Sequence, residues 1–254
     1  MKLLVCLITY NRLNYTKKTL NYLWATMTEP YFLVVVDNNS TDGTKKYLQN
    51  LLNRGKIDMA IFNEENFYPG KATNIGWTEG LKKYDATHLM RLDNDMELRE
   101  GWYDSVIGYF KAIPELGQLG LDNEAIEDPR AALRALEVNG KVINPWPGCV
   151  GGPCVVKRKV WDEGVQWPES KWDNGEKSKL QEDSRFSRLI MERGYYVGHM
   201  TDNLSRTFAN ESNWHENIDY YLKTMYDRGY EEKVEYLKQI KADMAKKKEK
   251  ANDE

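Results

Sequence analysis

Along roughly the first 120 residues, short continuous apolar runs alternate with longer stretches whose apolar residues recur every three or four positions. Leu3–Ile8 reads as a buried strand. Asn14 is placed to cap a following helix that carries Leu20, Leu23, Trp24 and Met27 on one face. Tyr31–Val36 is a second β-branched run, and Ser40-Thr41-Asp42-Gly43 after it has turn and cap chemistry. A helix with Tyr47, Leu48, Leu51 and Leu52 follows, then a strand over Ile57–Phe62. Lys71–Lys83 reads as a helix carrying Ala72, Ile75 and Leu81. Thr87–Leu92 is a fourth strand, Gly101–Ile113 a helix with Trp102, Val106, Tyr109, Phe110 and Ile113 inward, and Gln118–Leu121 a fifth strand. Near-continuous apolar strands alternating with amphipathic helices predict an α/β fold: a Rossmann-like, mostly parallel central sheet with helices on both faces. Such sheets bind ligands at the carboxyl ends of their strands, so the polar residues there matter most.

From Asp122 onward Pro, Gly and Trp become frequent, as in Pro145-Trp146-Pro147-Gly148 and Gly151-Gly152-Pro153. Val155–Val156 and Val160–Trp161 are core pieces. Gln181–Arg193 reads as a helix stopped by Gly194, and Tyr195–His199 as a short strand. Residues 216–249 form a charged helical tail. The expected organisation is one domain over 1–215, with the first hundred residues holding one substrate and 101–215 the rest, then a C-terminal helical extension over 216–254.

Composition narrows the functional classes. The chain has 254 residues, 41% of them apolar, and a formal charge of −3. That balance gives no support to a dedicated nucleic-acid binder, which shows a basic excess. Cys6, Cys149 and Cys154 are too few for a disulfide scaffold, and Cys149 and Cys154 are spaced wrongly for a zinc knuckle. Scattered cysteines fit a reducing, cytoplasmic setting. No apolar run approaches the roughly 18 residues of a membrane helix, and Leu3–Ile8 is too short for a secretory core.

The strand ends carry the candidate chemistry. The first strand runs into Thr9-Tyr10-Asn11-Arg12, where neither a G-x-G-x-x-G nor a P-loop is present. The second ends in Asp37, an acidic residue placed to receive part of a nucleoside. The fourth ends in Asp93-Asn94-Asp95, two carboxylates one residue apart, hard oxygen donors suited to Mg²⁺ or Mn²⁺. Glu182-Asp183 opens the helix after a Gly-, Lys- and Ser-rich stretch. Acidic residues there complement the helix dipole, and they also suit a general base beside a cleft.

In this order and spacing, Thr-Tyr-Asn-Arg, Asp-Asn-Asn-Ser-Thr-Asp-Gly-Thr, Asp-Asn-Asp and Glu-Asp resemble family 2 glycosyltransferases of the GT-A fold over about residues 1–200. Asn66 to Gly76 is similar to the family's glycine-containing stretch before the third helix, and Cys149 to Arg158 to its Gly-Gly acceptor-side segment. The resemblance implies that Thr9, Tyr10, Asn11 and Arg12 line a nucleotide pocket and that Asp37 accepts a base N–H, which suits uracil. It places Asn39, Asn66, Gly70, Lys71, Asn74, Asp93 and Asn94 on the nucleotide-sugar side. It makes Asp95 a ligand of a divalent metal (Mn²⁺ or Mg²⁺), Asp183 the base, and Gly151, Gly152, Trp146 and Glu182 the acceptor side.

A third metal ligand is expected in the last third, His215 ahead of His199, while His88 reads as structural. Thr73 stands where the family often has Arg, and Lys71 is the alternative positive charge. The Q-x-x-R-W pattern of processive synthases is absent. The expected reaction is therefore transfer of one sugar from a UDP-sugar to a saccharide or other hydroxyl acceptor, by single displacement with inversion. A sugar-phosphate nucleotidyltransferase is the competing enzyme class, but it needs a glycine-rich, Arg-bearing loop that Thr9–Arg12 lacks. A non-catalytic nucleotide-sugar or glycan-binding subunit is the third reading, against which Asp93, Asp95 and Asp183 together argue. Of the tryptophans after residue 140, Trp146 or Trp172 is assigned to the acceptor groove and the rest to packing.

Overall fold

A computed structural model describes residues 1–121, 135–145, 150–169, 182–227 and 229–252. Apart from the short β5, which the sequence pattern does not predict, the first half alternates as expected: β1 (Leu3–Thr9), α1 (Leu13–Thr26), β2 (Tyr31–Asp37), α2 (Thr44–Asn53), β3 (Met59–Phe62), α3 (Tyr68–Leu81), β4 (His88–Asp93), β5 (Met96–Leu98), α4 (Trp102–Ala112) and β6 (Leu116–Gly120). A hairpin of β7 (Leu136–Val138) and β8 (Lys141–Asn144) follows. Then come β9 (Cys154–Lys157), α5 (Arg158–Asp162), α6 (Glu182–Met191), β10 (Tyr196–Met200) and β11 (Ser205–Thr207). Among the described residues nine strands form one sheet in the order β3-β2-β1-β4-β9-β6-β10-β8-β7, and β5 pairs with β11.

All seven residues of β1 are buried because both faces of the strand are covered. Leu3, Val5 and Leu7 join one core with Leu20, Leu23, Trp102 and Val106, while Leu4, Cys6 and Ile8 join the other with Ala72, Trp77, Phe186 and Ile190. The mostly parallel α/β sheet expected from the sequence is present, with one reversal at its centre. β9 runs antiparallel to both β4 and β6. Its first residue, Cys154, therefore pairs with Arg91 near the carboxyl end of β4 and with Gly120 at that of β6. The reversal carries Gly151-Gly152-Pro153 to the same edge as the ends of β1, β2 and β4.

The chain divides into two compact units, Met1–Arg206 and Thr207–Glu254. Residues 207–215 fall in the second unit. A 3₁₀ turn (Glu211–Asn217) brings Trp214 into a small core of its own with Tyr221, Met225, Val234 and Leu237. The charged tail is thus two helices, α7 (Ile218–Asp227) and α8 (Glu231–Asn252), with a buried face. No helix among the described residues is long and apolar enough to cross a membrane.

Helix α3 lies close on the sheet because its inner face is small. A Cβ at Gly76 would sit 2.3 Å from Cys6 Sγ and 2.9 Å from Val36 Cγ2. Two effects oppose each other in Gly76→Ala. Helix propensity gains about 1 kcal/mol, while overpacking costs about 1–3 kcal/mol. At 2.3 Å against a fully buried sulfur the second dominates. Gly76→Ala is expected to lower stability in urea unfolding, and Cys6→Ala introduced beside it to recover part of the loss.

Candidate functional site

Three loops at the strand ends are tied together by side chains bonding to backbone. Asn11 and Arg12 both have left-handed backbone, φ 53° and 57°, a conformation costing non-glycine residues about 1 kcal/mol or more. Hydrogen bonds offset that cost. The Asn11 N–H donates to Ser40 Oγ at 2.7 Å, and Asn11 Oδ1 accepts the Thr41 N–H at 2.8 Å. Asp42 accepts the Leu13 N–H at 2.7 Å through one oxygen and the Thr44 N–H at 3.1 Å through the other. One carboxylate thereby serves the starts of both α1 and α2. Asn14, the expected cap, lies inside the first turn of α1.

Asp37 closes β2 with its side chain buried and Oδ1 accepting the N–H and hydroxyl of Ser40. Burial raises its pKa, opposed by the Ser40 bonds. Asn39, also left-handed, is exposed and donates to Glu64 O at 2.8 Å. Asn66 Oδ1 accepts the Tyr68 N–H at 3.0 Å, at the start of α3. Lys71 lies 4.2 Å over the ring of Phe67 and 4.0 Å from Glu169. Asn74 is buried and clamps the backbone of Trp167 with both ends of its amide, at 2.9 and 3.0 Å. Tyr10 is half-buried at the end of β1.

Asn94, between the two aspartates, is 2% exposed. Its amide donates to Thr9 Oγ1 (3.1 Å), Asn11 O (3.2 Å) and Thr16 Oγ1 (3.1 Å), since a buried amide must satisfy its donors within the protein. Thr9 is buried with it. Asn94 and Thr9 therefore brace the loop, where the resemblance put them on the ligand. Arg12 reaches over this brace, donating to Asn94 Oδ1 at 2.6 Å and to Asp95 Oδ2 at 2.9 Å. Asp95 is thus a carboxylate already facing a cation. Among the described residues no group of three or more His, Cys, Asp or Glu is gathered to hold a metal. A carboxylate such as Asp95 is a hard oxygen donor suited to Mg²⁺ or Mn²⁺, and the donors present do not fit zinc.

The densest electrostatics lie one face below. Arg91 points the same way as Asp93, two residues on, and is 4% exposed. Its Nε donates to Asp93 Oδ1 at 3.1 Å, and its Nη1 to Glu182 Oε1 at 2.8 Å and to Asp183 Oδ1 at 3.1 Å. The guanidinium lies 4.5 Å over the ring of Trp167, which stacks on Phe186 of α6 at 3.9 Å. Burial works against the charge of Arg91, but the three carboxylates raise its pKa well above the usual value. Burial raises the pKa of Glu182, with Arg91 opposing and Asp183 reinforcing the rise.

The glycines fit around these carboxylates. A Cβ at Gly152 would meet the Asp93 carboxylate at 2.8 Å, one at Gly151 would lie 3.3 Å from Asp183 Oδ2, and one at Gly70 would meet Glu182 at 2.8 Å. Val150, before the glycine pair, is bonded to α6 through Ser187 Oγ at 3.0 Å, and Ser187 in turn to Gln118 at 2.9 Å. The structure thus brings Asp93, Glu182, Asp183, Gly70, Gly151 and Gly152 together around Arg91.

Sequence reasoning gave no role to Arg91 and placed Trp167 among the packing tryptophans. The available signal was a charged residue between Met90 and Leu92 inside an otherwise apolar strand, a place arginine occupies only when paired. Trp161 and Trp167 pack against Trp77, and Trp214 stacks on Tyr221. Trp146, Trp172 and Cys149 lie outside the described residues. His199 is buried in β10, where a Cβ at Gly120 would meet its ring at 2.6 Å. His88 packs edge-on against Phe110. His215 belongs to the second compact unit. It is exposed, with Nδ1 at 2.9 Å from the Ser212 carbonyl oxygen.

The family model described as "Glycosyl transferase family 2" matches residues 4–135, just over half of the chain. No curated protein sequence matches. Among solved structures, a mannosyltransferase from Pyrobaculum calidifontis in complex with GDP-Man and Mn²⁺ superposes with a TM-score of 0.65 at 16% identity, over 87% of this chain and 61% of that one. S. aureus TarS 1-349 gives 0.60 at 18% identity, over 87% and 64%. GalNAc-T7 with UDP, GalNAc and Mn²⁺ gives 0.60 at 14% identity, over 81% and 43%. The GT-A fold is shared with these glycosyltransferases, and the chain spans less than two thirds of the length of each.

The raised pKa of Glu182 has a testable sign. A carboxyl that holds its proton more tightly folded than unfolded contributes stability at low pH and loses it as pH rises through the folded value. Glu182→Gln cannot ionise. The stability of the native sequence relative to this variant is therefore expected to decline from about pH 4.5 upward toward neutrality, read from urea unfolding of both proteins across that range. A flat difference would show that Glu182 titrates normally.

Proposed function

This chain belongs to glycosyl transferase family 2, and from that premise we propose that it moves one sugar from a nucleotide-sugar, a UDP-sugar, to an acceptor hydroxyl with inversion. The observation that carries the reading is the pair of neighbours at the start of α6. Glu182 is 15% exposed and turned into the protein, whereas Asp183 is 30% exposed beside Gly151. Asp183 is thus the carboxylate an acceptor can reach. Asp37, with Oδ2 unpartnered among the described residues, suits a ring N–H of uracil. Asn11 and Arg12 shape the nucleotide side.

The acceptor hydroxyl gives its proton to the Asp183 carboxylate. Its oxygen forms a bond to the anomeric carbon while the bond from that carbon to the diphosphate oxygen breaks, and the nucleoside diphosphate leaves with the electron pair. A single base facing the leaving group corresponds to one displacement. A retaining route would use a carboxylate nucleophile, by the logic of paired-carboxylate glycosidases. Asp95 is the residue that would hold Mn²⁺ or Mg²⁺, which supplies Lewis-acid stabilisation of the leaving diphosphate. Arg12 adds positive charge beside it. The acceptor side comprises Gly151 and Gly152.

Asp183→Asn is expected to abolish transfer while UDP with Mn²⁺ still binds; full activity in this variant would remove Asp183 as the base. Asp95→Ala is expected to lose metal-dependent UDP binding in calorimetric titration, and an unchanged titration would take Asp95 out of the metal site.

A further inference from the structure

We propose that Arg91 is a positioning residue for the transfer reaction: it acts through Asp183, fixing the base relative to the donor-side carboxylate Asp93. The inference rests on the reading of Asp183 as the base. Arg91 is the element common to both halves of the site. One end of its planar fork grips both oxygens of Asp93, at 3.1 and 3.5 Å, and the other grips Glu182 and Asp183. The fork itself is held flat by Trp167. Trp167 is fixed in turn by Asn74 on its backbone and by Phe186, one turn beyond Asp183 on the same helix. The helix bearing the base and the strand end bearing Asp93 are therefore registered against one rigid group.

Stability does not call for this arrangement. Three carboxylates around one guanidinium leave an excess of two negative charges, and buried ion pairs contribute little net stability even when balanced. What the excess provides is geometry. Arg91 meets Asp183 only at Oδ1, and Oδ2 is the oxygen beside Gly151. Lysine at 91 would keep the charge but cannot engage two sides at once, because its donors radiate from one point.

The test is Arg91→Lys, in the full chain with Mn²⁺, with UDP alone as the binding probe. Expected is a fall in kcat of about 10- to 100-fold, the scale of a misplaced catalytic group, with the Kd for UDP within about twofold of the native value, as for a nucleotide held elsewhere. A native kcat in Arg91→Lys overturns the proposal, and so does a loss of UDP affinity as large as the loss of kcat, which would mark a merely structural role. Arg91→Lys keeps a buried cation beside the carboxylates, so it is the variant expected to fold, and UDP binding with Mn²⁺ checks that it has. The two readings separate cleanly. Full activity in Asp183→Asn sinks the base assignment itself, whereas an inactive Asp183→Asn beside a fully active Arg91→Lys sinks only the role of Arg91.

Discussion

The contact of one buried guanidinium with three carboxylates sets the layout of the first compact unit. A charge at 4% exposure on a central strand must be answered by opposite charge within hydrogen-bond distance, and the answer comes from two regions far apart in sequence. Asp93 follows on the same strand. Glu182 and Asp183 arrive on a helix about ninety positions later. Small residues are needed where these carboxylates stand, and Gly70, Gly151 and Gly152 supply them. The antiparallel insertion of β9 makes the last two available, by bringing the start of a strand to an edge otherwise built from strand ends.

Beside this hub the loops after β1, β2 and β4 form a second network of amides, hydroxyls and the Asp42 carboxylate. Asn94 links Thr9, Asn11 and Thr16, and Asp42 joins the starts of two helices. The two networks differ in kind. The loop network is mostly backbone capture and holds a binding surface in shape. The Arg91 network is ionic and holds acidic groups at set positions. Arg12, with its bond to Asp95, is where positive charge enters the first of them.

Much of this was legible in the sequence. The five apolar runs of the first half are strands in the structure, with ends shifted by one or two residues, because continuous burial on both faces leaves an unambiguous pattern. The acidic residues at the ends of β2, β4 and the start of α6 stand at one sheet edge, as the topology of such sheets demands. Other features were hidden by the limits of local pattern. β9 is four residues long, and nothing in Cys154–Lys157 encodes its direction, which follows from partners distant in the chain. The β7–β8 hairpin was encoded, in Asn139-Gly140 with φ 50° and 75° between Val138 and Lys141, and went unread. Asn94, placed on the nucleotide-sugar side by the resemblance, is buried and spends its amide on Thr9, Asn11 and Thr16, which its local sequence does not show. Arg91 was hidden because a strand residue's partner cannot be read from its neighbours.

The rung of the sheet on which Arg91 sits adds a constraint of its own. Cys6 on β1 and Cys154 on β9 are its register partners on either side. Burial pushes both thiols up to about 12, so at neutral pH they carry no charge. A carboxylate in either place would turn the guanidinium sideways, along the sheet, and quench it there. Uncharged sulfur gives the arginine no counter-ion within its own layer. The protein interior thereby acts as an insulator on two sides of the cation, and its field has one outlet, the rim where the acidic residues gather.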